Sequence, residues 1–287
     1  MTLLQVLVLG LVQGITEFLP VSATAHLRIV PALFGWHFYH GSTQNPGSTF
    51  TAVVRLGSML ALVGYFWREL LHVCVAWARG LYDRSMRDSL EYRMGWYLVL
   101  ATIPVIVLRI AFSDQLDSGA ENLWLLAGSL IVVALALWAA EIIGGRRRVE
   151  EQINSADATA VGVAQVISLV PGASRVGTML AAGLFRGLER PAAVRFAFLL
   201  SIPAVVADAI YEVVRMGGVS THHNNHSPGA GLIGFAVVVA FVSSLLAIHW
   251  LVQWLTRHST LVFVYYRLAL GVLVIALVAT GVLEATT

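Results

Sequence analysis

Hydrophobic residues run almost unbroken along this chain, and the informative positions are those where polar groups interrupt them. A membrane-spanning helix needs about 20 apolar residues. That length predicts six spans, near 50–67, 94–113, 123–143, 192–213, 231–255 and 260–283. Two further apolar runs, 2–35 and 158–187, are each broken midway by proline, glycine and hydroxyl residues. Irregular backbone at membrane depth is tolerated where it lines a cavity or is buried in protein, so both runs predict re-entrant helical hairpins. The expected fold is all-α integral membrane, six transmembrane helices plus two re-entrant hairpins, in a single membrane domain over 1–287.

Composition sharpens this picture. At 58% hydrophobic and 12% charged residues, the chain is too apolar for an ordinary soluble domain. Every basic residue is an arginine, and a net charge of +2 offers no polyelectrolyte surface for nucleic acid. The single cysteine, Cys74, excludes an internal disulfide and reads as apolar packing. No basic stretch precedes the first apolar run, so a cleavable signal is not expected.

Orientation follows from the arginines. Arg68, Arg79, Arg84, Arg87 and Arg93 lie in the 68–93 segment, read as a loop, and Arg146, Arg147, Arg148, Arg186, Arg190 and Arg257 fall on the same side if the hairpins do not cross. The opposite loops hold Asp114, Asp117 and Glu121, or Arg215 with His222, His223 and His226. The positive-inside rule then places the arginine-rich loops in the cytoplasm and both termini outside. The three histidines have metal-ligand spacing, but their Gly-, Ser- and Asn-rich surroundings read as a solvated loop.

The two broken runs echo each other. Gln13, Pro20 and Ser22 in one half answer Gln165, Pro171 and Ser174 in the other, and Val54-Arg55 answers Val194-Arg195. Halves of about 1–145 and 150–287 with opposite topology would place a site where the two breaks meet, near the midplane.

Both breaks carry chemistry. In the first, Gln13 and Glu17 are four residues apart on one helix face, Pro20 ends the helix, and Ser22, Thr24 and His26 follow. Ionisable groups at membrane depth point to function by default, although Gln13 and Glu17 alone would also serve as interhelical glue. In the second, Gly172 and Gly177 let backbone approach a ligand, Ser174 and Thr178 add hydroxyls, and Arg175 supplies a planar cationic fork suited to phosphate. A kink with a snorkelling arginine would use the same residues, but not so many donors around one of them. Glu17 needs a counter-charge, either Arg175 or a metal ion bridging to phosphate. His26, opposite that cradle, is the favoured acid, base or nucleophile. Arg55 and Arg195 begin spans and face either a cavity or the interface. Asp208 and Arg267 each read as a cavity wall or an ion-pair partner.

Taken together, these motifs resemble the undecaprenyl pyrophosphate phosphatase family, also called bacitracin-resistance proteins. The likeness rests on Gln13 to Pro20, Ser22 to His26, Phe66-Trp67-Arg68, Pro171 to Arg175 with Thr178, Phe198-Leu-Leu-Ser-Ile-Pro203 and Tyr266-Arg267. The resemblance implies a hydrolase of the bacterial plasma membrane, with its site facing outward, that converts a polyprenyl diphosphate to the monophosphate carrier of cell-wall synthesis. It implies stimulation by a divalent cation, Mg2+ or Ca2+, held partly by Glu17, with a second copy of the chain as a candidate partner. Glu17, His26, Arg175 and Ser22 are expected to be catalytic, and Gln13, Thr24, Gly172, Ser174 and Thr178 to bind substrate. Three positions depart from the commonest pattern: Gln13 for Glu, Val176 for Ser, and Ala23 for the second of two consecutive serines. Ala23 removes any serine nucleophile at that position. The reading from another class is a non-hydrolytic transporter or scramblase of the lipid carrier, since broken helices in inverted repeats also build transporters.

Overall fold

The computed structural model describes residues 1–36, 48–119, 122–218, 230–281 and 283. The whole of Glu121, His222, His223 and His226, and the side chains of Asp117 and Arg215, lie outside what it describes. Among the described residues every named element is a helix. Five helices are long and apolar enough to cross a membrane: α5 (Leu90–Ala111), α7 (Leu123–Ile143), α10 (Arg190–Gly218), α11 (Ala230–Arg257) and α12 (Leu261–Ala279). The sixth expected span is a bent pair, α3 (Ser48–Tyr65) and α4 (Trp67–Tyr82), which meet at 68°.

The 68–93 segment, expected as a loop, is therefore mostly helix. Its arginines signalled solvent. However, Arg68 and Arg79 sit on an amphipathic helix whose buried positions, Val73 and Gly80, face a neighbour. α4 folds back along α5, where Trp77 packs edge-on against Trp96. Cys74 is exposed on this helix rather than packed.

Both broken runs are helical hairpins. The first comprises α1 (Leu3–Phe18) and α2 (Ala23–Leu33); the second comprises α8 (Ser155–Ile167) and α9 (Arg175–Phe185). None of these four is long enough to span a bilayer, since 16 residues at about 1.5 Å each fall short of its roughly 30 Å core. α1 starts from a Thr2–Gln5 capping box and α8 from an Asn154–Asp157 one, each satisfying orphan helix N–H groups. A seven-residue helix, α6 (Ser113–Gly119), follows α5.

The helices pack in a matched pattern. α1 lies against α11 and α8 against α5, α3 against α11 and α10 against α5, while α7 pairs with α12. The α1–α11 approach is close because Gly14 has no side chain: a Cβ there would meet the Ala240 carbonyl oxygen at 2.6 Å. Phe18 at the end of α1 and Phe66 at the α3–α4 bend pack against Phe198 on α10, the first edge-on and the second tilted, in a buried aromatic cluster with centroids 5.8–5.9 Å apart. That cluster anchors the first hairpin to the spans beneath its break.

Arg146, Arg148, Arg186, Arg190 and Arg195 form ion pairs that join distant segments. Glu141 accepts from Arg146 and Arg190, Asp157 from Arg148 and Arg186, and Arg195 bridges Glu69 and Glu150.

Candidate active site

Each hairpin turns through a serine whose backbone L-residues rarely adopt. Ser22 has φ 75° and Ser174 φ 68°, and each is the N-cap of an 11-residue helix. The Ser22 hydroxyl accepts from Ala25 N–H at 3.4 Å and the Ser174 hydroxyl from Gly177 N–H at 3.2 Å, the same cap three residues on. Four residues on, the parallel continues. His26 Nδ1 lies 2.7 Å from the Ser22 carbonyl oxygen, and the Thr178 hydroxyl donates to the Ser174 carbonyl at 3.1 Å. Gln13 and Gln165 each stand nine residues before their serine and are both buried. Backbone held in this region carries a cost of order 1–3 kcal/mol per residue and persists only where the surroundings enforce it.

Arg267 supplies that enforcement. Its guanidinium, 0% exposed, donates to the carbonyls of Pro20 (3.2 Å) in one break and of Gly172 (3.2 Å) and Ala173 (3.1 Å) in the other, and also to Ser129 and Leu130 on α7. One buried cation on α12 thus ties both turns together. Gly172 itself has φ 89°, and a Cβ there would lie 2.7 Å from the Leu126 carbonyl oxygen, so only glycine fits.

The turns meet on a cavity of about 210 Å³. Of the residues expected from sequence, Glu17, Ser22, Thr24, Gly172, Ser174 and Arg175 line it; Gln13, His26 and Thr178 stand behind the wall. Gln13 Nε2 donates to Glu17 Oε2 at 2.9 Å, fixing the carboxylate's orientation. Arg175 Nη2 donates to Asp208 Oδ2 at 2.8 Å, so Asp208 is both cavity wall and ion-pair partner. Arg55 on α3 also lines the cavity, whereas Arg195 is committed to Glu69 and Glu150.

His26 differs from its expected pose. Its ring stacks on Tyr266 at 5.7 Å with 5° between planes, and Nε2 lies 2.6 Å from the Tyr266 hydroxyl. A carbonyl oxygen only accepts, so Nδ1 carries the proton toward Ser22, while Nε2 pairs with the Tyr266 hydroxyl. Both ring nitrogens are engaged away from the cavity.

Arg109 was missed. It lines the cavity from the far end of α5 and lies 5.8 Å over the Tyr211 ring. An arginine near the end of a span ordinarily reads as a snorkelling anchor. Its place on the same wall as Glu17 depends on how α5 packs.

The donor set bears on a metal. Two carboxylates, Glu17 and Asp208, reach the cavity, and no cluster of three or more His, Cys, Asp or Glu forms among the described residues. That suits a hard cation such as Mg2+, bound through one or two carboxylates and completed by substrate phosphates and water, and not a closed protein cage.

Comparison with known proteins adds the last observation. A sequence model of the family described as "Bacitracin resistance protein BacA" matches residues 6–273. Similar proteins named undecaprenyl-diphosphatase occur in Nocardioides sp., 40% identical over 98% of each chain, and in Mycobacterium ulcerans, 42% identical over 98% of this chain and 99% of the relative. Another, in Chlorobium phaeovibrioides, is 40% identical over 99% of each chain.

Proposed function

This chain belongs to the bacitracin resistance protein BacA family, and from that premise we propose how its cavity hydrolyses undecaprenyl diphosphate to the monophosphate and inorganic phosphate. The observation that carries the mechanism is that Glu17 from one hairpin and Arg175 from the other line a single cavity together with the two N-cap serines, Ser22 and Ser174. An anion's site and a base are thereby brought together from segments over 150 residues apart in the chain.

The terminal phosphate rests against Arg175, the Ser174 hydroxyl and the N-terminal amides of α9, where the helix dipole adds to the guanidinium. Glu17, held by Gln13, takes a proton from water as the water oxygen bonds to the terminal phosphorus. The bridging P–O bond breaks, and polyprenyl monophosphate departs with its electrons. Ser22 keeps its O–H free to donate to a phosphate oxygen, because its lone pair already accepts from Ala25 N–H. Thr24 adds a hydroxyl to the same wall. Phosphoryl transfer asks the protein mainly for positioning and charge neutralisation, and these groups supply both. A divalent cation, Mg2+ or Ca2+, would be held by Glu17 and Asp208 and would supply charge neutralisation at the diphosphate. His26 acts through Ser22 as a positioning residue, as Thr178 does through Ser174.

We read the halves 1–145 and 150–287 as inverted copies, supported by the paired serine caps and the matched helix packing. We also read the cavity as facing outward in a bacterial plasma membrane. Its wall is built from the N-terminal half of α3, the end of α5 and the C-terminal half of α10. Those are the ends opposite the arginines paired with Glu141, Asp157, Glu69 and Glu150, which the positive-inside rule assigns to the cytoplasm. The test is phosphate release from a polyprenyl diphosphate by purified protein in detergent. Stoichiometric release is expected. Movement of the lipid between leaflets without release would favour a transporter instead.

A further inference from the structure

Arg55 and Arg109 have no part in the family motifs described above, yet both stand on the cavity wall. They enter from separate spans, α3 and α5, and neither belongs to a hairpin break. Arg55 is exposed and makes no ion pair among the described residues. Arg109 is braced by the Tyr211 ring, which restrains a long side chain and reduces the entropy lost when it grips a ligand.

Charge decides what they are for. Arg175 shares its guanidinium with Asp208, and Glu17 adds a second negative charge to the wall. Without Arg55 and Arg109 the described wall residues would hold one cation against two carboxylates. A lipid diphosphate brings about three more negative charges at neutral pH, given a terminal phosphate near −2 and an esterified one near −1. Such an excess of carboxylates would repel that ligand. With both arginines the described wall residues hold three cations against two carboxylates.

We propose that Arg55 and Arg109 are substrate-binding residues that form a second cationic subsite, making the cavity select a diphosphate over a monophosphate. The inference rests on the phosphatase reading and deepens it. Arg175 and the α9 N-terminus hold the terminal phosphate. Arg55 and Arg109 hold the phosphate that stays with the lipid.

The test uses the full-length protein in detergent with two non-hydrolysable probes, a polyprenyl methylenediphosphonate and the matching polyprenyl monophosphonate. Arg55→Gln and Arg109→Gln are expected to weaken diphosphonate binding roughly tenfold or more each, with monophosphonate binding changed less than threefold. Arg55→Lys should recover part of the loss, because Arg55 is exposed and the variant keeps its charge. A folded Arg55→Gln or Arg109→Gln protein that binds the diphosphonate within twofold of wild type would overturn the proposal. Equal weakening for both probes would overturn it too, by reducing the arginines to a general field. Wild-type protein that binds the diphosphonate tightly but releases no phosphate from the diphosphate would defeat the hydrolytic mechanism and leave this subsite standing.

Discussion

Arg175 donates to Asp208 across 2.8 Å, so the guanidinium best placed to hold a phosphate already shares its charge with a carboxylate from another helix. Both side chains are only part-buried, at 21% and 28% exposed, which leaves the pair weak enough to be displaced by a ligand with more negative charge. The pair therefore works as competition for the product as well as support for Arg175.

Asp208→Asn keeps the side-chain volume and removes the competitor. Inorganic phosphate should then inhibit more strongly, its inhibition constant falling roughly threefold to tenfold, while turnover falls because the fork is less well oriented. Phosphate inhibition measured against a polyprenyl diphosphate checks this. An unchanged inhibition constant would mean that Asp208 does not compete for Arg175.

Arg267 is where the two breaks are held together, by carbonyls from both turns and from α7. Arg267→Met should destabilise the protein by several kcal/mol, since each buried carbonyl stripped of its donor costs about 1–3 kcal/mol. Arg267→Lys should recover only part of this, because an ammonium cannot reach that many acceptors. Thermal unfolding in detergent gives the order wild type, Lys, Met. A Met variant as stable as wild type would show that the turns hold without the cation.

The pairing of the breaks was legible because prolines and hydroxyls stand out in apolar sequence, and a position such as Ser22 or Ser174 has few structural uses in lipid. Five spans were legible by length, and the sixth, expected over 50–67, is one arm of the bent α3–α4 pair. What sequence could not supply was tertiary: that Arg175 meets Asp208, that Arg109 reaches the same wall, and that Arg267 binds carbonyls rather than a carboxylate. In sequence α4 reads as a loop because its arginines outweigh its apolar face, an ambiguity that only packing against α5 resolves. His26 was expected at the cavity from its spacing to Ser22. That same i to i+4 spacing lets its ring reach back to the Ser22 carbonyl.

Topology can be checked by cysteine labelling in a Cys74→Ser background, needed because Cys74 is exposed. Ser85→Cys, in the 3₁₀ turn Arg84–Asp88 between α4 and α5, should resist a membrane-impermeant maleimide in intact cells. Asp114→Cys on α6 should be labelled. The reverse pattern would invert the orientation and open the cavity to the cytoplasm.

In the first turn Ala23 leaves the cavity wall without a hydroxyl at the residue following the serine cap. If a hydroxyl at that position attacked phosphorus, Ala23→Ser should raise turnover sharply. With water as the nucleophile and Glu17 as its base, Ala23→Ser should change turnover less than threefold, while Glu17→Gln should cost on the order of a hundredfold to ten-thousandfold. Ser22→Ala removes the α2 cap, worth about 1 kcal/mol, together with the phosphate donor, and should lower both stability and turnover. His26 separates positioning from proton transfer. As a positioning residue it needs Nδ1–H toward Ser22 and a partner for Nε2, so Tyr266→Phe should reduce kcat only several-fold and leave the shape of the pH–rate profile unchanged. His26→Ala should be more damaging than Tyr266→Phe, because it releases the Ser22 carbonyl and with it the strained turn. His26→Asn, whose shorter side chain still carries an N–H donor, should recover part of the loss without restoring a titratable group. If His26→Asn instead lost a limb of the pH–rate profile that Tyr266→Phe retained, His26 would be moving a proton in the reaction and the positioning role would fall.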